Sequence, residues 1–195
     1  MLHQITQQVG TSAVLLGMIM GLNPVNLSAQ ARQINSSQQS MFREQQSTVF
    51  NRVPRLINSG ATHKERNVAS TYYFTIVVPE NAPDALKAVT INQNPGSEII
   101  KFNVAQSRAF SGNKLAGDTS ISLTPIGGIQ SSDMNQVTLV FDQPLQPGNL
   151  VTLSLRVEQN PRYDDIYSFG VTTFPDNEKS PNLYLGEAKI TITDS

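Results

Sequence analysis

The 195-residue chain has no cysteine and no tryptophan, only two histidines, and no excess of either charge, with 14 basic side chains against 15 acidic ones. Without cysteine there is no disulfide framework, thiolate nucleophile, iron–sulfur cluster or cysteine-ligated zinc, so stability must come from an ordinary apolar core. The charge balance provides no field to gather nucleic acid or anionic lipid, because such binding needs Lys and Arg in excess on one surface. Long hydrophobic runs are also missing. The one notable run, residues 12–22, is about 11 residues long, whereas a membrane span needs ~20.

That run is followed by Asn23-Pro24 and then by Ala29-Gln30-Ala31. A short apolar core ahead of a small-x-small triplet is what signal peptidase recognises, since its site accepts only small side chains at the two flanking positions. Residues 1–31 are therefore expected to be a signal peptide cleaved after Ala31, which places the protein in the periplasm or outside the cell. No Lys or Arg precedes the run, only His3 and the amino terminus, so the usual positive leader charge is weak. Residues 32–48 are rich in Gln and Ser, with Ile34, Met41 and Phe42 as their apolar members. So little apolar surface cannot offset the entropy of ordering, and a flexible linker is expected.

From residue 49 to 195 the texture changes to period-two alternation punctuated by Pro, Gly and Asn, the pattern of half-buried strands joined by tight turns. Val151, Leu153, Leu155 and Val157 alternate with Thr152, Ser154, Arg156 and Glu158, which predicts a core face and a solvent face. The same logic places Ile100, Phe102 and Val104 inside, with Val137, Leu139 and Phe141, and with Ala188, Ile190 and Ile192. Phe74, Ile76 and Val78 belong to a more uniformly apolar, central strand, and residues 83–86 suggest one short helical turn. Gln146-Pro147-Gly148-Asn149 fits a type II turn, with Pro where φ near −65° is wanted and Gly where φ is positive. Roughly eight short strands without long helical periods between them predict an all-β fold, a single immunoglobulin-like antiparallel β-sandwich.

Candidates for chemistry are few. His3 leaves with the signal segment, so a Ser-His-Asp arrangement would depend on His63, which lies in the polar run from Gly60 to Asn67 and reads as exposed and inert. No nucleophile elbow or phosphate loop is present. Asp164 and Asp165 form the obvious carboxyl pair for glycoside hydrolysis, and Asp176 is the next residue to suspect. Asp164, Asp165, Asp176, Asn177 and Glu178 could together offer oxygens to Ca²⁺ from two loops, although their spacing is not that of an EF-hand. Tyr167 and Phe169 share a strand face and are expected in the core, whereas Tyr163 is the better candidate for exposure.

The run Phe141-Asp142-Gln143-Pro144, then Pro147-Gly148, Val151-Thr152 and Leu155, Asn160-Pro161, Tyr167, Phe169-Gly170-Val171-Thr172, Phe174-Pro175 and Leu185-Gly186 resembles an uncharacterised family of exported cyanobacterial proteins, a domain of unknown function. Residues 73–82 and 86–91 are similar to that family's opening strands, so the resemblance spans about residues 50–193. It implies export and supplies no catalytic residue, cofactor or ligand. In structural terms Gly170 suits a bulge or close backbone approach, and Asp142 suits a turn acceptor before Pro147-Gly148. Turn residues and core aromatics without a titratable cluster describe a scaffold.

The expectation is therefore a non-catalytic binding or structural module of the cell envelope, with an envelope protein, peptide or polysaccharide as partner, and without catalytic, cofactor or metal residues. The alternative is a hydrolase of envelope polysaccharide or peptide working through Asp164, Asp165 and Asp176. Convergence of Asp164 and Asp176 in a concave, desolvated pocket would favour the enzyme.

Overall fold

A computed structural model describes residues 52–113, 119–127 and 135–194, with backbone alone for 125–127. The expected signal segment and linker lie outside the described residues. Among the described residues ten strands form two five-stranded sheets: β1 (Arg55–Ala61), β2 (Ser70–Val77), β3 (Leu86–Gln93), β4 (Phe102–Ser111), β5 (Ser120–Ile121), β6 (Leu123–Gly127), β7 (Gln136–Leu145), β8 (Leu150–Val157), β9 (Asp165–Pro175) and β10 (Leu183–Ile192). The first sheet has the order β1-β2-β8-β4-β5 and the second β10-β9-β3-β7-β6. All pairings between these strands are antiparallel.

Setting β5, β6 and β7 aside leaves four strands in the order first, second, fifth, fourth against three in the order seventh, sixth, third. That is the ABED and GFC arrangement of the immunoglobulin sandwich. The other three strands are an insertion between the fourth and fifth. It adds β5 to one sheet, crosses at Ser122, and adds β6 and β7 to the other.

The side-chain alternation read from the sequence holds on the inner faces. Val151, Leu153, Leu155 and Val157 of β8, Val137, Leu139 and Phe141 of β7, and Ala188, Ile190 and Ile192 of β10 are all buried. Tyr72, Phe74, Phe102 and Phe169 meet at the centre with ring centroids 5.9 to 6.0 Å apart. Each edge-to-face contact of this kind adds about 1 kcal/mol beyond the area it buries. The Tyr167 hydroxyl donates to the Tyr163 carbonyl at 3.2 Å from the third residue of β9. This is the tyrosine corner of immunoglobulin sandwiches, and Phe169, two residues on, occupies the position of a disulfide cysteine in antibody domains. Here aromatic packing does that bridge's work between the sheets.

Several expectations need correction. Arg55–Ala61, which shows no apolar alternation, is nonetheless a strand, because it pairs with β2 and lays bare Gly60 under the Tyr73 ring. A β-carbon on Gly60 would stand 2.5 Å from the Tyr73 hydroxyl. The outer positions Thr152 and Ser154 are buried, at 1% and 8% exposure, instead of facing water; Thr152 bonds to Thr75 across the strands and to the Gly112 carbonyl. Val104 is half-buried because the β4–β8 register slips between Asn103 and Arg108. Pro83 and Asp84 make a bend and not a helical turn; the hydrogen-bonded turn is earlier, from the Ala82 amide to the Pro79 carbonyl at 3.0 Å. The turn at Gln146 is as expected, with Gly148 at φ 88° and the Asn149 amide bonding to the Gln146 carbonyl.

Candidate functional site

The strand directions sort the loops into two ends. At one end lie the β1–β2, β3–β4 and β8–β9 connections and the carboxyl terminus; at the other lie the entry to β1 and the β2–β3, β7–β8 and β9–β10 connections.

The first end is polar and knotted by side chains. Asn160 is buried at 1% exposure. Its Oδ1 accepts from the Tyr72 hydroxyl at 3.0 Å, and its Nδ2 donates to the carbonyls of His63 and Glu65 at 3.0 and 2.8 Å. Burial drives the Tyr72 phenol well above the usual tyrosine range. Arg66 donates to Asp194, and its Nε lies 3.1 Å from Asp164 without being aligned on it, so that contact is coulombic. Asp165 accepts from the Ser97 hydroxyl at 2.5 Å and from the Ile166 amide at 2.7 Å. The Ser97 bond, then the backbone bond, hold its carboxyl below the ordinary aspartate value. His63 is exposed, with Nδ1 3.3 Å from the Thr62 hydroxyl. Tyr163 is 52% exposed, as expected, beside the Arg162 guanidinium.

The carboxylates singled out in the sequence do not converge. Asp164 and Asp176 flank opposite ends of β9, which at ~3.3 Å per residue puts them roughly 35 to 40 Å apart. Asp176 instead stands 4.0 Å from Lys87 at the other end. Asp164 and Asp165, though adjacent, are each committed elsewhere, to Arg66 and to Ser97. The two loops thus share neither a hydrolytic pair nor a calcium site, and among the described residues no three His, Asp or Glu side chains gather to hold a metal ion. Asp142 sits within β7, where it accepts from the Thr124 hydroxyl and not from turn amides.

The second end carries a feature with no signature in any one stretch of sequence. Val53, Pro54, Pro83, Leu86, Pro175, Pro181 and Leu183 line a hollow of about 200 Å³, with Arg52 and Asp84 among the polar groups that border it. The Asp84 carboxylate is fixed by the Ser180 hydroxyl at 2.6 Å and the Asn177 amide at 3.2 Å. Arg52 is tied to the Asn81 carbonyl at 3.2 Å. Four prolines from three separate segments take part in the lining. Only the fold brings them together.

The architecture and its corner define an immunoglobulin-type sandwich whose loop ends, not its strands, differ in chemistry. The family described as protein of unknown function (DUF2808) matches residues 47–192, and the chain belongs to it. No curated protein matches the sequence. Solved structures with a similar fold include the collagen-binding subdomain of the surface protein ACE of Enterococcus faecalis, at 12% identity and TM-score 0.43 over 69% of this chain and 94% of that one. An uncharacterized protein from Nocardia farcinica with an immunoglobulin-like fold is 15% identical, TM-score 0.41, over 65% and 80% of the two chains. The full-length major pilin SpaD of Corynebacterium diphtheriae is 13% identical, TM-score 0.41, over 72% of this chain and 33% of its own. These likenesses are loose and concern the fold alone.

Proposed function

We propose that this protein is a non-catalytic binding module of a bacterial, by resemblance cyanobacterial, cell envelope. It is exported by its amino-terminal segment and holds an extended polypeptide partner at the proline-lined end. The observation that carries the reading is the hollow itself. Small-molecule sites usually occupy about 300 to 1,000 Å³, so a space of about 200 Å³ suits one anchoring side chain better than a free metabolite. Proline walls lose little entropy on binding, which favours a rigid receptor over an induced one. Arg52 and Asp84 on the border can bond to the backbone flanking an apolar anchor. The separation of Asp164 from Asp176 supports binding over hydrolysis through that pair.

The test is selection of peptides from an unstructured random library on the full chain. Binders should share one large apolar residue and should weaken at least tenfold on Ala82→Trp, since Ala82 also lines the hollow and the larger side chain would fill it. Binders without an apolar anchor, or binders indifferent to that substitution, would defeat the reading. Export is checked by amino-terminal sequencing of the protein from the envelope fraction, where a start at Arg32 is expected.

A further inference from the structure

We infer that the anchor taken by the proline-lined hollow is an aromatic side chain carrying a hydrogen-bond donor, a tyrosine or a tryptophan, and that Asp84 is the residue that selects it. This rests on the reading of the hollow as a peptide site and names the chemistry of its partner.

The carboxylate belongs to the wall of the hollow. Asp84 lies between Pro83 and Ala85, which both line the space, and its side chain reaches across to the β9–β10 connection, where Ser180 stands beside Pro181 in the lining. The Ser180 hydroxyl donates to Oδ2 at 2.6 Å and the Asn177 amide to Oδ1 at 3.2 Å. That connection is held in turn. The Asn177 carbonyl accepts from the Ser180 amide at 3.0 Å, its Oδ1 accepts from the Lys179 amide at 3.1 Å, and the Asp176 amide donates to the Ala85 carbonyl at 2.9 Å. An acceptor fixed by donors from another loop needs no reordering when a ligand arrives.

The carboxylate also has capacity left. Ionised, it offers about four acceptor positions, and the described residues occupy two of them, through Ser180 and Asn177. The hydroxyl donors of the lining are engaged: Thr173 donates to the Leu183 carbonyl at 3.1 Å, and Ser180 to Asp84 itself. Asp84 is the one acid among the lining residues, and Arg52, exposed and bonded to the Asn81 carbonyl, is the one cation.

Walls and acceptor select the ligand together. Proline and aromatic rings are complementary surfaces, the pairing by which proline-rich peptides dock on aromatic grooves; here the prolines are in the receptor, so the ring belongs to the partner. Engineered cavities of about 150 Å³ hold a benzene ring, and the hollow of about 200 Å³ has room for one such group. Leucine or phenylalanine would fill the space and leave the carboxylate without a new donor. Lysine or arginine would bring donors, but the charge must leave water for an apolar hollow, and Arg52 on the same border offsets the field of Asp84. A phenol hydroxyl or an indole N–H is a neutral donor on an apolar body and satisfies both requirements.

The test is fluorescence anisotropy on the full chain with five labelled peptides, made in the background of the tightest library peptide and differing only at the anchor: Tyr, Trp, Phe, Leu or Lys. At least one of the Tyr and Trp peptides should bind about fivefold or more tighter than the Phe peptide, because hydrogen bonds to charged groups are stronger than neutral ones. The Leu and Lys peptides should be weaker still. Asp84→Ala should erase the advantage over Phe. Because Asp84 also joins two loops, the quantity read is the coupling, in a double-mutant cycle, between Asp84→Ala and replacement of the preferred anchor by Phe, from which general damage to the loops cancels. Equal binding of the Tyr, Trp and Phe peptides, tightest binding by the Leu or Lys peptide, or an advantage over Phe that survives Asp84→Ala would overturn this inference while leaving the hollow as a peptide site. Peptides indifferent to Ala82→Trp would instead defeat the reading of the hollow itself.

Discussion

The two ends of the sandwich are built from the same kinds of loop and have opposite physics. At the polar end, buried and exposed side chains are used up in holding loops to one another: Asn160 ties β2 to the β1–β2 connection, Ser97 is spent on Asp165, and Arg66 on Asp164 and Asp194. At the proline end, backbone turns share the holding with a side-chain cluster: Gly148 and Asn149 bond to Val78 at 2.9 and 2.8 Å, and Asp84 accepts from Ser180 and Asn177. An apolar hollow is left over there. The first end is thus the more heavily cross-bonded one, and the second leaves an apolar, proline-lined hollow.

The largest test of that contrast is Asn160→Leu, which strands the buried Tyr72 hydroxyl and two carbonyls. It should cost about 2 to 4 kcal/mol in a denaturant titration. At the other end Gly148→Ala forces a β-carbon into a left-handed turn and should cost about 1 to 2 kcal/mol. A turn substitution more damaging than the loss of Asn160 would reverse the assignment of which end holds the fold. The smallest effect belongs to Asp165. Its folded carboxyl titrates below the unfolded one, so its contribution is full above the ordinary aspartate value and fades as pH falls through the lowered value. Asp165→Asn should therefore lower stability slightly at neutral pH and flatten the acid limb, so that the two proteins converge as pH falls through the lowered value. A matching change in the alkaline limb would contradict the Ser97 bond as its cause.

Legibility followed the range of the interaction. The inner faces of β7, β8 and β10 and the turn at Gly148 were readable, because alternation and turn chemistry are local and burial rewards them directly. β1 was not readable: Leu56, Ile57 and Ala61 give no alternation, and the strand exists because β2 provides a partner and Tyr73 needs the space above Gly60. Ser154 was assigned to water because residue type says nothing of what a neighbouring strand covers. Asn160 was visible only as half of an Asn-Pro turn, since its three side-chain partners lie 88 to 97 positions away in the chain.

What the sequence determined by itself is the kind of core: without cysteine the chain had to be stabilised by apolar packing, and its period-two alternation broken by turn residues made that core a sandwich. Tertiary structure decided everything about sites. It parted Asp164 from Asp176 by the length of a strand and gathered four distant prolines around a hollow. The reason is that periodicity fixes which way a side chain points, whereas only strand order and register fix what it meets there.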